Sequence, residues 1–150
     1  MAIIDLVERI AQTPGLRKIS VSVSAFVAKA ATPFQWAAMD KEVVLRRKMH
    51  RLAQGLRPFR RVSFAGESPR SCLWEGVLAR GDRRVGMVVW HHQMEGLTWA
   101  GAWRKAQLER GFFVHRRRQL EEILPWDFID HGISKAQLWG QYMRAQRVAG

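Results

Sequence analysis

The sequence predicts a helix-rich α/β protein: an α/β piece followed by a mainly helical tail. Three observations predict it. Residues 18–27, KISVSVSAFV, alternate with period two. Several stretches on either side carry apolar residues at helical spacing. Near the chain's end, Ser134 and Gln137 fit a capping box, with Ile133 and Leu138 as its hydrophobic staple.

The elements follow in order. Ile3, Ile4, Leu6, Val7 and Ile10 predict a helix over 2–12, opened directly by Met1 and ended by Pro14-Gly15. In the alternating stretch, Ile19, Val21, Val23 and Ala25 form an aliphatic face. Ser20, Ser22, Ser24 and Phe26 form the other, which suits a small, polar or ligand-filled space. Residues 28–39 read as a loop, and Asp40 as an N-cap. The next helix carries Leu45, Met49, Leu52, Ala53 and Leu56 on one side and Arg46, Arg47, His50 and Arg51 on the other. FRRVSF at 59–64 fits a short strand. Helices are expected over 71–79, 83–95 and 99–110, the last stopped by Gly111. A final helix runs from the capping box to about Arg147, and Arg116–Arg118 reads as a solvated basic run.

Hydrophobic residues at 47% and charged residues at 25% are a globular balance, not a disordered one. Twenty-five Lys and Arg against thirteen Asp and Glu give a net charge of +12, a field that favours anionic partners such as nucleic acid. Cys72 is the one cysteine, which excludes an internal disulfide and a thiolate cluster. That usage points to a reducing, cytoplasmic compartment. No apolar run approaches the length of a membrane span, and the first residues lack a signal peptide's basic start.

Motifs for common chemistries are missing: no G-x-S-x-G, no Walker-type phosphate loop, no G-x-G-x-x-G. His91 and His92 are adjacent, so a helix points them apart and they cannot ligate one metal as an i, i+4 pair would. Arg80-Gly81-Asp82 has the letters of an adhesion motif by chance. Asp127, Asp130 and His131, in LPWDFIDHGISK, have the residue types of a metal or acid–base site. They also fit a turn whose carboxylates accept backbone N–H groups while Trp126, Phe128 and Ile129 pin it to the core. The turn is the reading adopted, and no metal or catalytic residue is assigned.

Three stretches carry a resemblance as an ordered set: VSVSAFVAKAATPFQW, EGVLARGDRRVG and LPWDFIDHGISK. Together they resemble the C-terminal part of the B12-binding-domain radical SAM proteins, a large bacterial group, over roughly residues 3–147. The resemblance implies that residues 1–57 are the last helix–strand–helix of a radical SAM partial (β/α) barrel and 58–150 the family's C-terminal extension. The serine face would then look into the barrel, whose ligands sit at the C-terminal ends of its strands. Phe26 and Val27 would lie near the adenine of S-adenosylmethionine. Arg80, Asp82, Arg83 and Arg84 would be candidates to face substrate or to form an ion-pair network at the barrel mouth. The loop departs from the family, which has prolines where Ala28 and Ala30 stand and a bulkier residue at Ala31.

The family's cofactors are a [4Fe–4S] cluster, S-adenosylmethionine and cobalamin. This chain lacks the C-x-x-x-C-x-x-C loop and the D-x-H-x-x-G signature; Asp130-His131-Gly132 has the wrong spacing. The expectation is a fragment or split subunit, inactive alone, whose earlier barrel strands precede Met1. Its barrel strand, without neighbours, would make it unstable, oligomeric or dependent on an upstream radical SAM half-protein. A small basic nucleic-acid-binding protein is the alternative, resting on the charge, on Arg46, Arg47 and Arg51, and on seven tryptophans available for base stacking.

Overall fold

The computed structural model describes residues 2–149; Met1, with the expectation placed on it, lies outside them. The described residues form seven helices and two strands, in the order α1 (Ala2–Ala11), β1 (Ile19–Val23), α2 (Glu42–Leu56), β2 (Val62–Gly66), α3 (Pro69–Arg80), α4 (Arg83–Met94), α5 (Trp99–Lys105), α6 (Arg110–Val114) and α7 (Lys135–Ala149). This is a helix-rich α/β chain with a small sheet, as the sequence predicts. No described helix is long and apolar enough to cross a membrane.

Contacts divide the chain into two units, Met1–Phe26 with Asp40–Cys72, and Val27–Met39 with Leu73–Gly150. Residues 58–72, assigned to the C-terminal extension from sequence, group with the first unit.

In the first unit the period-two stretch becomes a strand, but a shorter one than expected. β1 pairs in parallel with β2, from Ile19 opposite Val62 to Val23 opposite Gly66. The ladder ends where β2 ends, so Ser24–Phe26 leave it. The expectation that this strand lacks neighbours is therefore corrected: β1, a crossover containing α2, and β2 make a parallel strand pair. β2 starts three residues later than the predicted 59–64, because Phe59–Val62 is a turn closed by Val62 N–H donating to Phe59 O at 2.9 Å. Ser20 and Ser22 are exposed. Ser20 Oγ lies 3.2 Å from Ser63 Oγ across the pair.

Leu45, Leu52 and Leu56 of α2 are buried, as their spacing predicts. Ala53, expected on that stripe, is exposed, and so are Arg46, Arg47, His50 and Arg51. Asp40 is not the cap. Lys41 holds that position without a side-chain cap bond, and Asp40 instead binds Lys48 Nζ at 2.5 Å. In α1 only Val7 is buried; Ile3, Leu6 and Ile10 are exposed.

The second unit holds two apolar clusters. One gathers Val77, Val85, Val88, Ala102, Trp103, Phe113 and Val114 with Met39. The other gathers Trp36, Leu124, Trp126, Leu138 and Tyr142. The predicted helix 99–110 is broken: α5 stops at Lys105, and Gln107 takes φ 53°. Gly111 lies inside α6 rather than ending a helix. The break lets Phe113 and Val114 reach the first cluster, at 1% exposed each. The final helix starts as predicted. Ser134 N–H donates to Gln137 Oε1 at 3.0 Å, and Gln137 N–H to Ser134 Oγ at 3.2 Å. Leu138 is buried, whereas its staple partner Ile133 is half exposed.

Candidate functional site

Residues 27–39 form no helix or strand, so side chains must hold them. Ala31 adopts φ 53°, which costs a non-glycine residue strain. Its N–H donates to Gln35 Oε1 at 3.1 Å. The same oxygen accepts Trp126 Nε1–H at 2.5 Å, and Gln35 is buried. Trp36 beside it is wholly buried against the Trp139 and Tyr142 rings.

The RGDRR corner meets the same loop. Arg80, the last residue of α3, is completely buried, and its Nη1 donates to Ala37 O at 2.7 Å. Gly81 then joins α3 to α4. Asp82 caps α4, its Oδ1 accepting Arg84 N–H at 2.9 Å. Its carboxylate also takes the Arg84 guanidinium, which holds its pKa below the ordinary value; burial opposes this. Arg84 lies over the Phe112 and Phe113 rings, while Arg83 is exposed. Asp82→Ala is expected to cost about 1 kcal/mol through the lost cap, and Asp82→Asn much less. Denaturant unfolding of the two variants checks this.

The basic run is solvated only in part: Arg117 is exposed and Arg116 half-buried, but Arg118 is not. Arg118 is 2% exposed; its N–H donates to Trp36 O at 3.0 Å and its Nη2 to Arg80 O at 3.0 Å. Its guanidinium lies 5.1 Å from the centre of the Trp126 ring. Arg117 Nε donates to Tyr142 Oη at 2.9 Å. Arg116 grips both oxygens of Glu122, at 2.7 and 2.5 Å. That bond, more than the nearby charges, lowers the Glu122 pKa from its ordinary 4.5. A depressed carboxylate stabilises the fold fully above its ordinary pKa and loses that contribution as pH falls through the folded value. The stability gap between wild type and Glu122→Gln is therefore expected to shrink as pH drops below 4.5. Unfolding curves across acid pH measure it.

LPWDFIDHGISK is a turn, as adopted above. Asp127 Oδ2 accepts Leu124 N–H at 2.9 Å and binds Lys135 Nζ at 2.7 Å. Asp130 Oδ1 accepts the N–H of Gly132, whose φ is 76°. Of the three residues expected to pin it, only Trp126 is buried; Phe128 and Ile129 are exposed. Phe128 and Pro125 line a surface cleft of about 660 Å³ with Gly81, Asp82, Arg83 and Arg84.

Residues 27–36 of the first motif, with the other two motifs, thus converge on one buried framework in the second unit. Of the residues singled out from sequence, Asp82, Arg83 and Arg84 share the cleft, and Arg80 lies buried beside it in the chain. Phe26 is half exposed, and Val27 packs against the first cluster. Gln35 and Arg118 were missed. A glutamine after Pro-Phe and a three-arginine run carry no pattern that separates buried from solvated.

Among the described residues no group of three His, Cys, Asp or Glu side chains is placed to hold a metal. Cys72 is the chain's one thiol and is buried, so the residues present do not fit a [4Fe–4S] cluster. His91 pairs with Glu95, and His92 stacks on Trp99. No protein-family model, curated protein or solved structure matches this chain.

Proposed function

We propose that the chain is the C-terminal portion of a B12-binding-domain radical SAM protein. It acts as a split subunit or fragment, not catalytic alone, beside an upstream radical SAM half-protein. One observation carries the reading. The three motifs behind the resemblance bond to one another across up to 91 positions: Trp126 to Gln35, and Lys29 to Glu75. Landmarks of one folded module are expected to do this.

Two features support a missing partner. A two-stranded sheet is marginal by itself, and no third strand flanks it among the described residues. α1 also leaves Ile3, Leu6 and Ile10 exposed. In this reading the iron–sulfur, S-adenosylmethionine and cobalamin chemistry belongs to the other polypeptide. Here Phe26 and Val27 border the adenine, and Asp82, Arg83 and Arg84 face the substrate side, with buried Arg80 supporting them.

The test is co-expression with the product of the gene directly upstream. The expected result is a C-x-x-x-C-x-x-C protein that co-purifies with this chain. An upstream product without that motif, or failure to co-purify, rejects the split subunit.

The second reading is a basic nucleic-acid-binding protein. Its supporting observation is the exposed Arg47–His50–Arg51 face of α2. The tryptophans lend it little, because Trp90 is the one that is exposed. Steep weakening of RNA or DNA binding with salt would favour it, and a flat salt dependence would reject it.

A further inference from the structure

Arg80 and Arg118 are buried in the second unit with too few partners. They are 0% and 2% exposed. Each gives one bond to a backbone carbonyl, Arg80 Nη1 to Ala37 O and Arg118 Nη2 to Arg80 O. Arg80 Nε and Nη2, and Arg118 Nε and Nη1, meet no acceptor within hydrogen-bond reach. Buried donors are normally satisfied, and an unsatisfied charged one is especially costly.

The charge is also only partly compensated. Glu122 Oε1 lies 4.0 Å from Arg118 Nε, but Arg116 already holds both Glu122 oxygens. One glutamate therefore serves three arginines, and Asp82 is occupied by Arg84. Burial, reinforced by the Arg118 and Arg116 charges, lowers the Arg80 pKa to about 10, with Glu122 opposing. Water in this position would accept the N–H groups without neutralising the charge. A tetrahedral dianion does both, and the guanidinium fork matches its oxygens.

We propose that Arg80 and Arg118 form a buried anion site that takes a phosphate-class oxyanion. Gly81 and Asp82, which follow Arg80 in the chain, and Pro125, which precedes the Trp126 ring under Arg118, line the surface cleft. The site rests on these side chains and not on the family reading.

The experiment uses the full chain with inorganic phosphate, compared with chloride at equal ionic strength. Thermal unfolding and arginine Nε–H NMR signals are followed. The expected result is a saturable rise in Tm specific to phosphate, with the Arg80 and Arg118 signals shifting together. Arg118→Gln is expected to weaken the apparent affinity at least about tenfold, as loss of a charge-assisted bidentate contact would. Arg104→Ala, at an exposed position of α5 outside the cleft, keeps it. Where Arg118→Gln does not fold, the wild-type NMR shifts decide. Methyl phosphate forms a second arm. Equal binding supports the site and makes its source the phosphate end of a larger ligand; binding of inorganic phosphate alone supports it as a holder of the free anion. Equal Tm in phosphate and chloride with unmoved arginine signals overturns the proposal. So does an effect lost in Arg104→Ala but kept in Arg118→Gln.

Discussion

Trp36→Ala is expected to destabilise the second unit by about 3–5 kcal/mol, the range for emptying a buried tryptophan site. Trp36 is 0% exposed. Its ring lies 5.0 Å from Trp139 in an edge-to-face arrangement and 6.0 Å from Tyr142, geometries that add to area burial. It also anchors a segment that has no helix or strand of its own, whose carbonyl at position 36 receives the Arg118 N–H. The indole N–H has no partner, so Trp36→Phe gives up ring volume but no hydrogen bond. The phenylalanine variant should therefore keep most of the stability. Urea unfolding followed by circular dichroism separates the two; equal losses would mean the ring's packing is not what matters.

The next largest effect is expected at Gly81. A Cβ there would stand 2.6 Å from Val85 Cγ2 and 2.7 Å from the Val77 carbonyl oxygen. The carbonyl cannot rotate aside, because it belongs to the last turn of α3 and accepts the Gly81 N–H. Gly81→Ala must push α3 and α4 apart, which costs about 1–3 kcal/mol as overpacking does. It would also disturb Arg80 and the Asp82 cap on either side. Gly86, five residues on and inside α4, offers the opposite case: an added Cβ meets nothing within 4 Å. Gly86→Ala should stabilise by about 0.5–1 kcal/mol, because alanine has less backbone freedom to lose. Opposite signs for the two substitutions are the expected result of thermal unfolding.

Local grammar was readable where one residue's neighbours decide it. The Ser134–Gln137 box and the period-two stretch act over a few residues; the box appears as predicted, and the stretch is a strand over Ile19–Val23. Asp127 and Asp130 satisfy their own turn, which is a local matter too. The break after Lys105 was not readable, because it serves the burial of Phe113 and Val114, a tertiary demand. β1's pairing with β2 joins strands 43 positions apart and needed the crossover to be known. The site was half legible. The RGDRR and PWD motifs stood out, but their meeting point, Gln35 and Arg118, depends on burial that no run of arginines announces.

Three distant stretches share one buried framework, and the Gln35–Trp126 bond joins two of them directly. A double-mutant cycle with Gln35→Ala, Trp126→Phe and both together, measured by denaturant unfolding, tests it. The expected coupling energy is about 0.5–3 kcal/mol, as for buried partners in contact. Additivity to within about 0.3–0.5 kcal/mol, the behaviour of independent sites, would contradict it.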